Sequence, residues 1–186
     1  SMVNLKVLED DNGSSAYSTR KALEYILKRN FRSSVINLSF GLPKQRFLEV
    51  EDLFQKVIDN NNIFVAAAGN DEALAKPELL FPANYKNIIS VGSVSNSLSS
   101  YDFSRNLDII IPCNELTVTT NKELGFYTKD GYSSMATALV SALVSLIIQQ
   151  NNYTVDYNKI LQDLKNIATP IQKDSNLSQL NILKPW

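Results

Sequence analysis

Histidine is absent from all 186 residues, and cysteine occurs once, at Cys113. The first absence removes the commonest general base, the commonest metal ligand and the side chain that titrates near neutral pH. The second excludes an internal disulfide and a thiolate zinc site. Charge of either sign is not in excess, with 18 Lys+Arg against 19 Asp+Glu, so neither a phosphate-binding face nor a polybasic membrane patch is expected. Nucleic acid is therefore not an expected partner, and the residues imply no cofactor and no metal. No apolar run reaches the ~20 residues needed to cross a bilayer, because the longest, 136–148, is interrupted by Thr137, Ser141 and Ser145. Ser1-Met2 reads as a cloning scar before or including a start methionine, and nothing after it resembles a signal peptide.

What remains is an ordinary globular composition, 44% hydrophobic and 20% charged, in a chain of the length of one domain. The span 3–8 reads as a strand closed by a turn-rich segment from Glu9 to Ser15. A helix over 18–28 comes next, with Ala22, Leu23, Ile26 and Leu27 on one face and Ser18 as its cap. Spans 35–40 and 63–68 read as strands flanking a helix over 50–60, and 88–94 and 107–112 as two further strands. Residues 95–105 are polar and loop-like, 117–127 fits a hairpin, and helices are predicted over 134–149 and 157–167. The helix at 134–149 is nearly apolar all round, which predicts a buried central helix. Strands alternating with helices, without repeats, predict a single α/β domain with a mostly parallel sheet and helices on both faces.

Three local features go beyond fold. Ala66-Ala67-Ala68-Gly69-Asn70 places an amide beyond the end of a predicted strand, where ligands bind in open α/β sheets and where an oxyanion can be met. Gly-Asn is equally ordinary turn chemistry. Gly131-Tyr132-Ser133-Ser134-Met135-Ala136 delivers a serine to a helix N-terminus, where a hydroxyl can act as nucleophile or simply as a cap. The third feature, 81–87 leading into 88–94, says only loop then strand.

Together these segments resemble the subtilisin-like serine peptidases. Ile36-Asn37-Leu38-Ser39-Phe40-Gly41 is similar to the strand that lines that family's substrate cleft. Phe64-Val65-Ala66-Ala67-Ala68-Gly69-Asn70 resembles the strand ending in its oxyanion-hole asparagine, and Phe81 to Val94 resembles the family's segment after that asparagine. Ser133-Ser134-Met135-Ala136 is similar to its Thr-Ser-Met-Ala nucleophile turn, and Leu164 to Pro170 to its final helix and exit. The resemblance implies a subtilisin-like fold, incomplete on the N-terminal side, in one partial peptidase domain. It makes Ser134 the nucleophile position and Asn70 the oxyanion donor. It makes Ser39, Phe40 and Gly41 backbone edges for an extended peptide, and Ala67, Ala68 and Gly69 one wall of the specificity pocket. The implied partner is a polypeptide substrate or a protein, and relatives are commonly secreted or attached to the cell envelope.

The family's aspartate and histidine belong to a segment upstream of these blocks. Asp10 and Asp11 stand too close to Ile36-Asn37-Leu38-Ser39 to be that aspartate and read as solvated turn residues. A serine without its base is a weak nucleophile, and losing the base costs on the order of a million-fold, the magnitude known for subtilisin itself. The 186 residues are therefore expected to be inactive alone. They are either part of a peptidase or a degenerate relative that binds peptides or proteins. Tyr132 in place of a glycine and Ala138 in place of a proline depart from the family pattern, and Cys113 reads as a packed small residue. The missing strand would lie mid-sheet, which predicts dimerisation by strand exchange or a β-strand partner.

Overall fold

Along the central strands, side chains alternate between two apolar layers, as the twofold period of a strand requires. Phe64 and Ala66, Ile88 and Ile110 join one core; Ile63 and Val65, Ile89 and Val91, Ile109 and Ile111 join the other. Both faces are covered, which is the usual condition of a parallel sheet and the reason these strands read as unbroken apolar runs. The computed structural model describes residues 1–8, 15–69, 81–94, 107–113, 116–119, 126–129, 133–171 and 180–182.

The strands are β1 (Val35–Leu38), β2 (Ile63–Ala67), β3 (Ile88–Val94), β4 (Ile109–Pro112), β5 (Leu116–Thr119), β6 (Phe126–Lys129), β7 (Thr169–Ile171) and β8 (Leu180–Ile182). The helices are α1 (Ala16–Lys28), α2 (Lys44–Leu48), α3 (Glu51–Asp59), α4 (Ser133–Gln150) and α5 (Tyr157–Ile167). The main sheet runs β1-β2-β3-β4-β8-β7, parallel from β1 through β8, with β7 antiparallel to β8 at its edge. Among the described residues β1 pairs with β2 alone, so it forms the other edge. A separate hairpin pairs β5 with β6.

One core lies under α1, α2 and α3. Phe47 is its hub, with ring centroids 5.2 Å from Phe54, 4.9 Å from Phe81 and 5.1 Å from Tyr85. The other core lies under α4 and α5, where Ala136, Val140, Val144, Ile147 and Ile148 meet Ile160, Leu164 and the opposite face of the strands. Cys113 is buried in this layer, and burial pushes its thiol pKa up, as suits a packed residue.

The α/β architecture agrees with the sequence pattern, and β3 and α5 occupy the expected spans. Four details differ. The span 3–8 forms no strand: it carries a single bridge position, at Leu8, and a strand needs a run of residues paired with a neighbour. The cap of α1 is Ser15, not Ser18: Ser15 Oγ accepts from the Ser18 amide at 3.0 Å. The short α2 after Pro43, and the three-residue strands β7 and β8, carry too few residues to show a period. Pro170 fits β7 because that strand is an edge. Finally, α4 is not buried all round. By length and composition alone it could cross a membrane, yet it lies across β1, β2 and β3 with 44% of its residues buried. Its outer face exposes Leu139 and Leu146, because the sheet covers only one side of it. The predicted turn at Asp10 and Asp11 and the loop 95–105 lie outside the described residues.

Polar groups also sit inside this apolar frame. Asp108, just before β4, accepts from the Ser90 amide and the Ser90 hydroxyl, both at 2.9 Å, while its own amide donates to Ser90 Oγ at 2.9 Å. Burial nevertheless raises its carboxyl pKa, and these bonds and the Lys165 charge only partly oppose that. Tyr157 beside it is pushed up as well, first by burial and then by the Asp108 charge. Thr19 shares the inward face of α1 with Ala16, Leu23 and Ile26; among the described residues its hydroxyl has no hydrogen-bond partner.

A carboxyl whose pKa is raised by folding contributes stability in its protonated form below its unfolded pKa, and that contribution is lost as pH rises through the folded value. Asp108→Asn has no such titration, so urea unfolding should show the variant gaining on the parent between about pH 3 and about pH 7; a constant difference would refute this. Thr19→Val keeps the shape and removes the unpartnered hydroxyl, and should raise stability by about 1 kcal/mol, read as a higher urea midpoint at unchanged slope.

Candidate active site

In a parallel sheet the carboxyl ends of the strands share one edge, and that edge collects the ligand-binding loops. The register pairing Leu38 with Ala66 puts Ser39 and Ala67 at adjacent strand ends. Beyond them Phe40 and Gly41 continue from β1, and Ala68 and Gly69 from β2. The Ala68 amide donates to Val91 O at 2.9 Å, which ties the end of β2 to β3. Gly69 has φ 107°, a conformation that a side chain rarely tolerates, so the chain turns away from the sheet where glycine stands. Ala67 is buried, whereas Ala68 and Gly69 are half-buried.

Ser133 and Ser134 open α4, whose first amides point toward the same edge and favour negative charge there. Two reciprocal bonds join Ser134 to the end of β1. Ser39 Oγ donates to Ser134 O at 2.8 Å, and Ser134 Oγ donates to Ser39 O at 3.0 Å. Residues 95 positions apart are thus held side by side. The fold accordingly brings together Ser134, Ser39, Phe40 and Gly41 with the Ala67–Gly69 segment that neighbours β1. Asn70, the expected oxyanion donor, and Tyr132 lie outside the described residues.

A second pair of bonds extends the contact along β1. Asn37 Nδ2 donates to Ser39 Oγ at 3.0 Å, and Ser141 Oγ, two turns along α4, donates to Asn37 Oδ1 at 3.0 Å. Asn37 is exposed on the edge strand, and sequence reasoning did not single it out for a role. Its outward position in the β1 alternation was the available signal, since a polar residue there faces solvent or α4 and not the apolar core.

Among the described residues, the Ser134 hydroxyl makes its hydrogen bond to the Ser39 carbonyl alone. The buried, pKa-shifted carboxyl of Asp108 belongs to the opposite end of the strands, before β4 begins. No group of three or more His, Cys, Asp or Glu side chains comes together among the described residues. This part of the molecule can therefore present a hydroxyl, helix amides and strand edges, and among the described residues it holds no titratable group hydrogen-bonded to the serine.

Comparison with known proteins shows the family and the fold. The model of the subtilase family of peptidases covers residues 1–179. The major intracellular serine protease of Bacillus subtilis is 32% identical over 154 residues, 79% of this chain and 46% of that protein. Subtilisin DY of Bacillus licheniformis is 26% identical over 174 residues, 91% of this chain and 61% of that protein. A cold-adapted subtilisin-like serine proteinase superposes with a TM-score of 0.75 at 22% identity, covering 96% of this chain and 64% of that structure. The chain thus spans roughly half the length of the curated relatives it matches, 46% and 61% of these two. With nearly every residue inside the family match and the fold superposing on a subtilisin-like proteinase, the chain belongs to the subtilase family.

Proposed function

We propose that this chain supplies the nucleophile and oxyanion parts of a subtilisin-type serine endopeptidase site, with Ser134 as nucleophile and Asn70 as oxyanion donor, and that it does not hydrolyse peptides by itself. The observation that carries this reading is the position of Ser134, at the first turn of α4 and hydrogen-bonded to the end of β1 at the carboxyl edge of the sheet, in a chain of this family.

The chemistry follows from the groups present. Attack by a serine hydroxyl on a peptide carbonyl requires a base that removes its proton and later delivers it to the leaving amine. The Ser39 carbonyl accepts the hydroxyl's hydrogen bond but cannot carry its proton away, and the 186 residues contain no histidine. The base and the carboxylate that orients it are therefore assigned to polypeptide outside these residues. The α4 amides, together with the Asn70 side chain, would meet the oxyanion of the tetrahedral intermediate. An extended substrate would bond main chain to main chain along the edge at 39–41, with one side chain against the pocket wall at 67–69.

Among the described residues β1 pairs with β2 alone, and that edge supports a polypeptide partner that adds a strand there, or a second copy of the chain. A second reading, a pseudo-peptidase that binds peptides or a partner protein, is favoured by the engagement of Ser134 with a carbonyl and by Ala138, exposed where the family has proline.

A fluorophosphonate probe should leave the isolated chain unlabelled, and ready labelling at Ser134 would refute the missing-base argument. Joined to a polypeptide that supplies the aspartate and histidine, the protein should cleave peptides, and Ser134→Ala should reduce that activity on the order of a million-fold, as in subtilisin. Retained activity would show that Ser134 is not the nucleophile; failure to cleave with the base in place would favour the binding module. In light scattering at high concentration the chain should exceed its monomer mass, and a strictly monomeric profile would count against self-association through β1.

A further inference from the structure

Four hydrogen bonds form one connected chain between β1 and α4: Ser141 Oγ to Asn37 Oδ1, Asn37 Nδ2 to Ser39 Oγ, Ser39 Oγ to Ser134 O, and Ser134 Oγ to Ser39 O. The directions follow from what each atom can do. An amide NH2 only donates, so Asn37 Nδ2 occupies a lone pair of Ser39 Oγ and leaves that hydroxyl's single proton for another acceptor. That acceptor is Ser134 O. Because Ser134 returns a bond to the Ser39 carbonyl, the two serines close a ring, and Ser134 cannot turn its hydroxyl away without giving up one side of it. Ser141 holds the far end, anchoring the Asn37 amide oxygen and so setting which way its NH2 points.

We propose that Asn37 is a positioning residue for Ser134: through Ser39 it holds the Ser134 hydroxyl at rest on a backbone carbonyl. The inference rests on the reading of Ser134 as the nucleophile for its importance, but not for its test. Asn37 touches neither Ser134 nor the place of a substrate carbonyl; it acts through the orientation of one hydroxyl proton. The side chain is exposed on an edge strand, so its replacement removes little packing.

The reporter is Ser134→Cys in the full chain, with the parent, whose single cysteine is buried, as background. The alkylation rate of the new thiol is followed against pH by iodoacetamide labelling and mass spectrometry, which requires no peptidase activity. A thiol donating to the Ser39 carbonyl is stabilised against ionisation, so releasing it lowers the inflection of the profile and speeds alkylation at neutral pH. Asn37→Ala in the reporter should raise the neutral rate about threefold and shift the inflection downward, as expected for the loss of one modest hydrogen bond. Ser39→Ala should do the same, and the two together no more than either alone, because both break one chain. Ser141→Ala, which leaves the Asn37 donor in place, should have the smaller effect. An unchanged inflection with Asn37→Ala, or effects of Asn37→Ala and Ser39→Ala that add, would overturn the proposal. If Asn37→Ala does not fold, Asn37→Thr, which suits a strand and lacks the amide donor, is read in the same way. Failure of the serine as nucleophile appears only in the fluorophosphonate and cleavage experiments, so the two ideas fall separately.

Discussion

Covering both faces of a parallel sheet is the constraint on which the rest of this molecule depends. β2, β3 and β4 have no polar face, so they persist only if helices close both sides. The Phe47-centred layer closes one and α4 with α5 closes the other. The placement of α4 follows from that need. Val140, Val144 and Ile148 are spaced one turn apart and must lie on the strands, which directs the first turn of the helix to the carboxyl edge of the sheet. Ser134 reaches the end of β1 because the residues behind it on the helix are packed there.

The same constraint explains where, among the described residues, the frame is covered on one side only. Strand edges and helix faces are satisfied only by neighbours, and β1 has one neighbour among the described residues while α4 has a sheet on one side only. The exposed Leu139 and Leu146 and the open side of β1 belong to the same region, since α4 packs on β1. The polar chain through Asn37 and Ser39 crosses this region. In place of apolar contact it links strand to helix by side-chain hydrogen bonds, which are directional and so can orient a hydroxyl where packing cannot.

Much of this was legible beforehand. β3 and α5 have strong periods and clear stops, and both appear where the pattern puts them. The unbroken apolar run of β2 marks it as a strand buried on both faces, and the structure then divides Ile63 through Ala66 between the two cores. What escaped depended on partners: the strand expected at 3–8 is reduced to one bridge at Leu8, and the strands at Thr169–Ile171 and Leu180–Ile182 exist through each other and through β4. The apolar composition of α4 suggested burial on all sides, but composition does not specify how many layers will cover a helix. At the candidate site, Ser134 stood out as a serine at a helix start, whereas Asn37 entered only as part of the block that resembles the family's cleft-lining strand, and its exposure is seen in the structure alone.

By itself the sequence determined the fold class and the chemistry that is available, because alternation, turn residues and the absence of histidine are properties of local order and composition, and its motif blocks carried the resemblance to the family. Only the tertiary structure decided that Ser39 and Ser134 share two hydrogen bonds, that Asn37 and Ser141 extend them, and that among the described residues one edge of the sheet and one face of α4 stay open. Those facts require residues far apart in the chain to meet at hydrogen-bonding distance. Their meeting is set by how helices pack on the sheet, which no local pattern contains.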